Sequence, residues 1–380
     1  MKIIFLLLFS LNFCWTGDQI FVACEGNFYQ GNGSLWTIFE DEASGYPDNP
    51  VGDVVQSLYV YADKLFVIVN GSSNIQIFDI TTNGLVPYQT VDTNGSGPRE
   101  MIAYNNYLYF TNWYSADVKK LNLTTFQLDA SISTPGLPED IVLKNGMLYV
   151  SITMNMDWSD CNLVLAIDPD TESIIDSYEV GFGPGELLVH EGDIYILRTY
   201  YDPDWNAYYG TSKIKPNGEV MIVDYGAGAA CGGGIYSYQN DVYRIYDGGI
   251  AKLDNEMQII PETRIGDYNW WEVYSAEVIG DNVYFGLSDY IESDDVAVVN
   301  SDGNEIARYQ VGSLPGDFAI WKGCAPDGDV NSDSILNILD IIQIVDNIII
   351  DADFDCNVDI NEDLQINILD VVILVDLILN

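Results

Sequence analysis

The chain has few basic residues and almost no histidine. Its 380 residues include 14 Lys and Arg against 58 Asp and Glu, which gives a formal net charge of −44 at pH 7. A chain this acidic is repelled by nucleic-acid backbones and by anionic membrane surfaces, so neither is expected as a partner. His190 is the single histidine, and the repeat pattern places it in a turn away from the loops that carry unusual residues. A metal site with several histidines is therefore excluded, and no catalytic residue is assigned.

Long hydrophobic runs are missing as well. The apolar stretch after Lys2 is too short to cross a bilayer, and no later run reaches about 18 apolar residues. The sequence predicts a signal peptide over residues 1–17, no transmembrane segment, and a secreted or surface-held mature chain. Lipoprotein anchoring at Cys14 is the alternative, which Phe13 disfavours because small residues are preferred before an acylated cysteine.

Cysteine is scarce: five remain if Cys14 is removed with the signal peptide. An exported chain permits disulfides, and Cys324 and Cys356 flank one C-terminal segment, so they are the first candidate pair. The remaining three, Cys24, Cys161 and Cys231, leave at least one thiol free or paired between chains.

A hydrophobic residue followed by an aromatic one recurs along most of the chain at intervals of 40 to 48 residues. A polar turn precedes most copies, an apolar segment lies upstream, and two more apolar segments follow. Four short strands per repeat of this length predict one blade of a β-propeller, since helical periodicity is missing before residue 330. The seven copies are Ile20-Phe21, Leu65-Phe66, Leu108-Tyr109, Leu148-Tyr149, Ile194-Tyr195, Val242-Tyr243 and Val283-Tyr284.

The two ends of the repeat region complement each other. The first copy lacks an inner strand before it, and the last inner strand, residues 316–321, lacks outer strands after it. We therefore expect residues 18–323 to form an all-β seven-bladed propeller closed by N-terminal and C-terminal strands, which leaves no exposed sheet edge. The Gly-Pro steps, the Leu-Tyr pairs and the turn Ile167-Asp168 to Thr171 resemble YVTN or surface-layer-type bacterial propellers. That resemblance implies the fold and leaves the activity open.

Two acidic loops follow in residues 324–380, each leading into an apolar segment that is predicted to be helical, over residues 338–349 and 368–379. Oxygen-bearing side chains recur at loop positions 1, 3, 5, 9 and 12, and position 7 offers a backbone carbonyl, which suits calcium. Solvated turns that cap two helices are the alternative. The segment has 13 acidic and no basic residues, so its folding should depend on cations. The candidate ligands are Asp329, Asn331, Asp333, Ile335, Asn337 and Asp340 in the first loop, and Asp359, Asn361, Asp363, Gln365, Asn367 and Asp370 in the second.

The duplicated loop-helix unit resembles the type I dockerin module of bacterial cellulosomes, a small all-α, EF-hand-like fold. The resemblance implies two calcium ions and a cohesin-like or cell-surface protein partner. Family members commonly have Gly where this chain has Ser334 and Leu364, which implies weaker calcium binding. The residues that choose the partner in the family correspond here to Ile338-Leu339 and Ile368-Leu369. Their identity in the two halves would permit docking in two orientations, and their apolar character fits equally well with packing inside the module.

Aromatic residues gather in loops that a propeller presents on one face, together with arginines that end inner or second strands. Such a face binds flat ligands or sugars, although single rings also pack between blades and arginines also form surface ion pairs. Arg198 and Arg244 both end second strands near this face, where they could meet a carboxylate or phosphate. The candidate ligand-binding residues are Arg99, Trp113, Tyr114, Trp158, Arg198, Tyr200, Tyr201, Trp205, Trp270 and Trp271.

Two functions of different class remain from the sequence. One is a binding protein whose propeller captures a glycan or a corrinoid, the latter by analogy with some propellers of this type, while the calcium-loaded tail docks to a partner. The other is a carbohydrate-active enzyme or accessory protein of a polysaccharide-degrading assembly. The sequence contains no Gly-x-Ser-x-Gly elbow and no glycine-rich phosphate loop, which favours binding over catalysis. A structural surface protein without a small ligand is the third, plainest reading.

Overall fold

The computed structural model describes residues 18–81, 84–228, 233–291, 293–322, 328, 330, 336–350, 358–361 and 365–379. Two compact units divide the chain: Ile20–Ile320 forms one, and Trp321–Asn380 with Met1–Gln19 forms the other. The predicted signal peptide, Cys14, Cys231 and the candidate pair Cys324 and Cys356 lie outside the described residues.

Within those residues the larger unit is built from seven antiparallel sheets, which confirms the seven-bladed propeller. Blade 1 comprises β4 (Val55–Tyr61), β5 (Lys64–Val69), β6 (Asn74–Thr81) and β7 (Gly84–Asp92). Blade 2 comprises β8 (Pro98–Tyr104), β9 (Tyr107–Asn112), β10 (Asp117–Asn122) and β11 (Leu128–Ser133). Blade 3 comprises β12 (Gly136–Lys144), β13 (Met147–Asn155), β14 (Asp160–Asp168) and β15 (Ser173–Glu179). Blade 4 comprises β16 (Pro184–His190), β17 (Asp193–Tyr201), β18 (Ala207–Ile214) and β19 (Val220–Ala227).

Blade 6 has the same four-strand order, whereas blade 5 has three strands and blade 7 combines strands from both ends of the propeller sequence. Blade 5 comprises β20 (Ile235–Tyr238), β21 (Asp241–Tyr246) and β22 (Gly249–Lys252), followed by a 3₁₀ turn, Pro261–Thr263. Blade 6 comprises β23 (Val273–Ile279), β24 (Asn282–Leu287), β25 (Asp295–Asn300) and β26 (Glu305–Gln310). Blade 7 comprises β27 (Pro315–Trp321), β1 (Gln19–Cys24), β2 (Ser34–Phe39) and β3 (Glu42–Gly45). Where the other blades have a fourth strand, the described part of blade 5 has only isolated bridges, such as Leu253 to Ile259.

The repeated hydrophobic-aromatic pair lies on the second strand of every blade. In β5 five of six residues are buried, and in β1 all six are buried. Such strands are covered on both faces, which is why they read as continuous apolar runs, whereas the outermost strand of blade 3 is mostly exposed. Buried side chains of successive blades pack together, as Phe66 of blade 1 and Phe110 of blade 2 do.

Closure by both ends of the propeller sequence is confirmed. The last strand, β27, lies beside β1 in the order β27-β1-β2-β3, so the C-terminal strand supplies the inner strand that the N-terminal segment lacks. This pairing joins the first and last parts of the propeller chain and removes the free sheet edges.

The smaller unit contains two helices among its described residues, α1 (Ile338–Ile350) and α2 (Ile368–Leu379), at the predicted positions. Ile344, Val358 and Leu374 are buried in its apolar core. The described residues contain no helix of the length and apolarity that spanning a membrane requires.

Candidate functional site

A cleft of about 760 Å³ opens on the loop face of blades 2, 3 and 4. The loop between the second and third strands of each blade supplies an aromatic wall: Trp113 follows β9, Trp158 follows β13, and Trp205 follows β17. Five of the ten predicted ligand-binding residues therefore line one cavity. The lining comprises Arg99, Trp113, Glu139, Thr153, Met154, Trp158, Ser159, Asp160, Gly183, Gly185, Leu197, Thr199, Tyr201, Asp202, Pro203 and Trp205.

Two of the tryptophans sit at the tips of similar turns. Trp158 and Trp205 have left-handed backbone angles, φ 67° and φ 64°, which are unfavourable for a bulky residue. Each is held by a backbone hydrogen bond to the residue three positions earlier, the carbonyls of Asn155 and Asp202, at 2.9 Å. Trp158 is 58% exposed and Trp205 is 82% exposed, so the turns present apolar rings to solvent. Strained turns that hold exposed rings suit a binding surface better than a packing role.

Trp113 is fixed more deeply. The guanidinium of Arg99 lies over its ring at 4.4 Å, and the Trp158 ring meets it edge-on at 5.9 Å between centroids. Arg99 also binds the Glu139 carboxylate and the side-chain oxygen of Gln56. The indole Nε1 of Trp113 is buried and has no hydrogen-bond partner among the described residues. Arg99, Trp113 and Glu139 thus form one connected cluster in the lining of the cleft.

The three carboxylates of the cleft have different environments. Glu139 is paired with Arg99. Asp202 accepts hydrogen bonds from Asn206, from backbone N–H groups and from Tyr208, and these lower its pKa. Burial instead raises the pKa of Asp160, partly offset by a backbone hydrogen bond from Tyr201. The environments of Asp160 and Asp202 therefore move their pKa values in opposite directions.

The other predicted residues lie elsewhere. Arg198 is fully buried, and its Nη2 donates to the Val223 carbonyl and pairs with Asp224. Tyr200 stacks on Tyr208 at 5.7 Å. Tyr114 and Trp271 are exposed, and Trp270 lines a second cavity beside blade 5. His190, the last residue of β16, contacts Ser237.

The propeller axis carries acidic groups that sequence reasoning missed. At the position that follows Arg99 on the inner strand, six blades carry a polar residue: Ser57, Glu100, Asp140, Glu186, Ser275 and Asp317. The signal was a repeated proline-x-acid step, present at Pro98, Pro138, Pro184 and Pro315. Glu100, Asp140, Glu186, Glu277 and Asp317 line one cavity of about 460 Å³.

These groups join neighbouring blades. The carboxylates of Asp140, Glu186 and Asp317 accept the N–H groups of Leu187, Ile235 and Leu58, each on the next blade, at 2.5, 3.3 and 2.7 Å. Burial raises the pKa of Glu277 to about 8, and the charge of Asp317 acts in the same direction. Burial likewise raises the pKa of Asp140, Glu186 and Asp317. Asp140, Glu186 and Asp317 thus act as hydrogen-bond clamps between blades, and burial raises the pKa of all three.

In the smaller unit, Asp340 and Asp370 are fully buried in the first turns of the two helices. Each accepts the backbone N–H of the residue three positions earlier, Asn337 or Asn367, at 2.8 and 2.7 Å. The two halves therefore repeat in structure as well as in sequence. The described residues contain no group of three or more His, Cys, Asp or Glu side chains arranged to hold a metal. Five of the predicted ligands lie outside those residues: Asp329, Asn331, Asp333, Ile335 and Asp363.

Cys24 and Cys161 are buried free thiols. Burial raises the pKa of the Cys24 thiol to about 12, which keeps it protonated and unreactive at neutral pH.

No protein-family model and no curated protein matches the chain. Similar folds occur among solved structures. A Lactobacillus plantarum protein aligns with TM-score 0.60 and 10% identity over 80% of this chain and 99% of its own. A putative 6-phosphogluconolactonase from Bacteroides fragilis aligns with TM-score 0.57 and 13% identity over 80% and 98%. Hydrazine synthase from Kuenenia stuttgartiensis aligns with TM-score 0.54 and 13% identity over 72% and 92%. At these identities the similarity is one of fold.

Proposed function

We propose that the chain is an exported saccharide-binding protein whose calcium-loaded tail docks it to a partner. The observation that carries the first part is the cleft of blades 2 to 4, with Trp113, Trp158 and Trp205 on one wall. Exposed indole rings stack on the apolar faces of sugar rings. Glu139, Asp160 and Asp202 supply acceptors for sugar hydroxyls on the same lining. A corrinoid is the competing ligand, and the titration below distinguishes it from a saccharide.

The test is calorimetry of the full chain in calcium against neutral and acidic oligosaccharides and one corrinoid. Saturable binding to a saccharide, weakened about tenfold or more by Trp158→Ala, supports the proposal. Tyr88→Ala is the matched control, because Tyr88 is also exposed but lies on the outer strand of blade 1. Binding of the corrinoid alone would assign the cleft to that ligand instead, and flat titrations would remove the capture function.

The tail fits calcium by the chemistry of its donors. Asp340 and Asp370 are buried carboxylates in a segment without a basic residue, and the surrounding loops add amide and carbonyl oxygens. Calcium would neutralise the negative charge of this segment and link each loop to the helix that follows it. Chelation should reduce helical circular dichroism and the readded metal should restore it. Equal spectra with and without calcium would contradict the proposal.

The proposed docking of the tail to a partner rests on the exposure of four apolar side chains. Ile338, Leu339, Ile368 and Leu369 are 66%, 54%, 63% and 54% exposed, so within this structure they leave the module's core to other residues. Two equivalent apolar patches suit a cohesin-like partner that binds either half. Ile338→Asp or Ile368→Asp alone should then leave binding to such a partner largely intact, and the double variant should abolish it. Ile349→Asp, also exposed, is the control.

A carbohydrate-active enzyme is the second candidate, and it is favoured by two carboxyls of one cleft, Asp160 and Asp202, whose pKa values are moved in opposite directions by their surroundings. Such a pair is the arrangement from which a general acid and its partner carboxylate are drawn. Turnover of a bound oligosaccharide that Asp160→Asn abolishes, with affinity retained, would establish the enzyme. Binding without turnover would establish the capture role.

A further inference from the structure

Arg244 differs from the other arginines of the chain in its pairing. Arg99, Arg198, Arg264 and Arg308 each form an ion pair with Asp or Glu. Among the described residues Arg244 forms none, although the chain carries 58 acidic side chains. It is only 4% exposed, so little of its surface is in contact with bulk solvent.

The contacts of Arg244 are neutral. Nη1 donates to the Gly210 carbonyl and the Thr211 hydroxyl, both at 2.7 Å, and Nε donates to the Ile245 carbonyl at 3.3 Å. The rings of Tyr209 and Tyr225 lie 5.2 and 5.0 Å from the guanidinium. These contacts orient the side chain without neutralising it, and a buried charge without a counter-charge is costly.

Two acidic groups of the surrounding segments are engaged with other arginines. Asp224 binds Arg198 and the Tyr200 hydroxyl, and Asp247, which lines the same cavity, binds Arg264 at 3.0 Å. Burial lowers the pKa of Arg244, Tyr225 and Tyr209 act against this change, and the nearby Arg198 cation adds to it. An anion in the cavity would supply the counter-charge that Arg244 lacks among the described residues.

Arg244 lines a cavity of about 540 Å³, together with Tyr209, Tyr246 and Trp270. Gly228, Gly233 and Gly248 also line it, and since a Cβ at Gly228 would lie 2.4 Å from the Tyr209 ring, glycine lets the backbone pass close to that ring. Leu197 and Thr199 line both this cavity and the tryptophan cleft, so one extended ligand can reach both.

We propose that this cavity binds an anionic substituent, a carboxylate or a sulfate ester, of the saccharide whose neighbouring unit lies in the tryptophan cleft. The inference rests on the proposed saccharide site and narrows its ligand to an acidic glycan. The planar guanidinium fork suits two oxygens of such a group, and Trp270 at the rim offers a ring face to the sugar.

The experiment titrates the full chain in calcium with an oligogalacturonate, a sulfated galactan oligosaccharide and a neutral galactan oligosaccharide of equal length. The wild type should bind one anionic probe about 10- to 100-fold more tightly than the neutral one, and the two anionic arms distinguish carboxylate from sulfate. Arg244→Gln should lose that preference and keep the affinity for the neutral probe. Arg308→Gln, which removes an exposed arginine from blade 6, should behave as the wild type.

Equal binding of neutral and anionic probes, or a preference retained in Arg244→Gln, overturns the anion site and leaves the saccharide proposal standing. Absence of all saccharide binding contradicts the proposed function, and then free glucuronate and sulfate decide the anion site. A rise in Tm with either anion in the wild type and in Arg308→Gln, but not in Arg244→Gln, supports the site, and no rise overturns it.

Should Arg244→Gln fail to fold, Arg244→Lys and Trp270→Ala take its place. Lysine keeps the charge but not the fork, so the anionic preference should fall without vanishing. Trp270 is 51% exposed, so its removal should weaken anionic and neutral probes together without loss of fold. Unchanged binding in both variants overturns the proposal.

Discussion

The propeller axis and the loop-face cleft use polar and aromatic residues in opposite ways. Along the axis, acids repeat at one position of successive inner strands, and three of them accept an N–H group from the next blade. In the cleft, the tryptophans come from the loops between second and third strands, and Trp158 and Trp205 stay exposed on strained turns. What repeats from blade to blade holds the ring together, and what interrupts the repeat is available for a ligand.

The same contrast separates Arg198 from Arg244. Both lie within the second strands of neighbouring blades, Arg198 in β17 and Arg244 in β21, and not at the strand ends as the sequence predicted. Gly210 lies against both side chains. Arg198 meets Asp224 from the outermost strand of its blade, whereas blade 5 has no described fourth strand to supply such a partner. The irregular blade therefore leaves a cation in a cavity where a regular blade would pair it.

The largest expected effect concerns the protonation of the buried carboxyl groups along the propeller axis. Burial raises the pKa of Glu277 to about 8, above its usual value of 4.5. The folded state then binds this proton more tightly than the unfolded state, so the contribution to stability is complete below about pH 4.5 and is lost as pH rises through about 8. Glu277→Gln should gain about 2–4 kcal/mol over the wild type at pH 9 and almost nothing at pH 5.

Urea unfolding of both proteins at the two pH values measures this difference. Glu256→Gln, which removes an exposed carboxyl in a turn, is the control and should shift stability little at either pH. Parallel pH profiles for Glu277→Gln and the wild type would show that the axis carries no raised proton affinity.

The second effect concerns the clamps. Asp140→Ala leaves the Leu187 N–H of the next blade without its acceptor, which should cost about 1–3 kcal/mol. Measurement at pH 5 keeps the acidic groups largely protonated, so relief of charge repulsion does not mask the loss. Ligand affinity in the cleft should not change. Asp176→Ala, on the exposed outer strand of blade 3, is the control, and equal stability of the two variants would deny Asp140 its role.

Much of the fold was predictable because the hydrophobic-aromatic pair marks the one strand of each blade that is buried on both faces. Closure followed from an unmatched strand at each end. The cleft was predictable as a face, since loop position follows from strand order. The choice among its arginines was not, because Arg198 and Asp224 meet only through the pairing of three strands. The acidic clamps were missed although their proline-x-acid step is visible in the sequence.

The smallest expected effect on stability comes from Trp205→Ala, which should change ligand affinity and not the fold, the opposite of what is expected for Asp140→Ala. Trp205 is 82% exposed at a turn tip, so Trp205→Ala should change the free energy of unfolding by less than about 0.5 kcal/mol. It should nevertheless weaken saccharide binding about tenfold, because a stacking face of the cleft is lost. Calorimetry and urea unfolding on the same preparation measure both quantities. A stability loss without an affinity loss would reverse the assignment, since the exposed ring would then serve the fold while the repeated axis served the ligand.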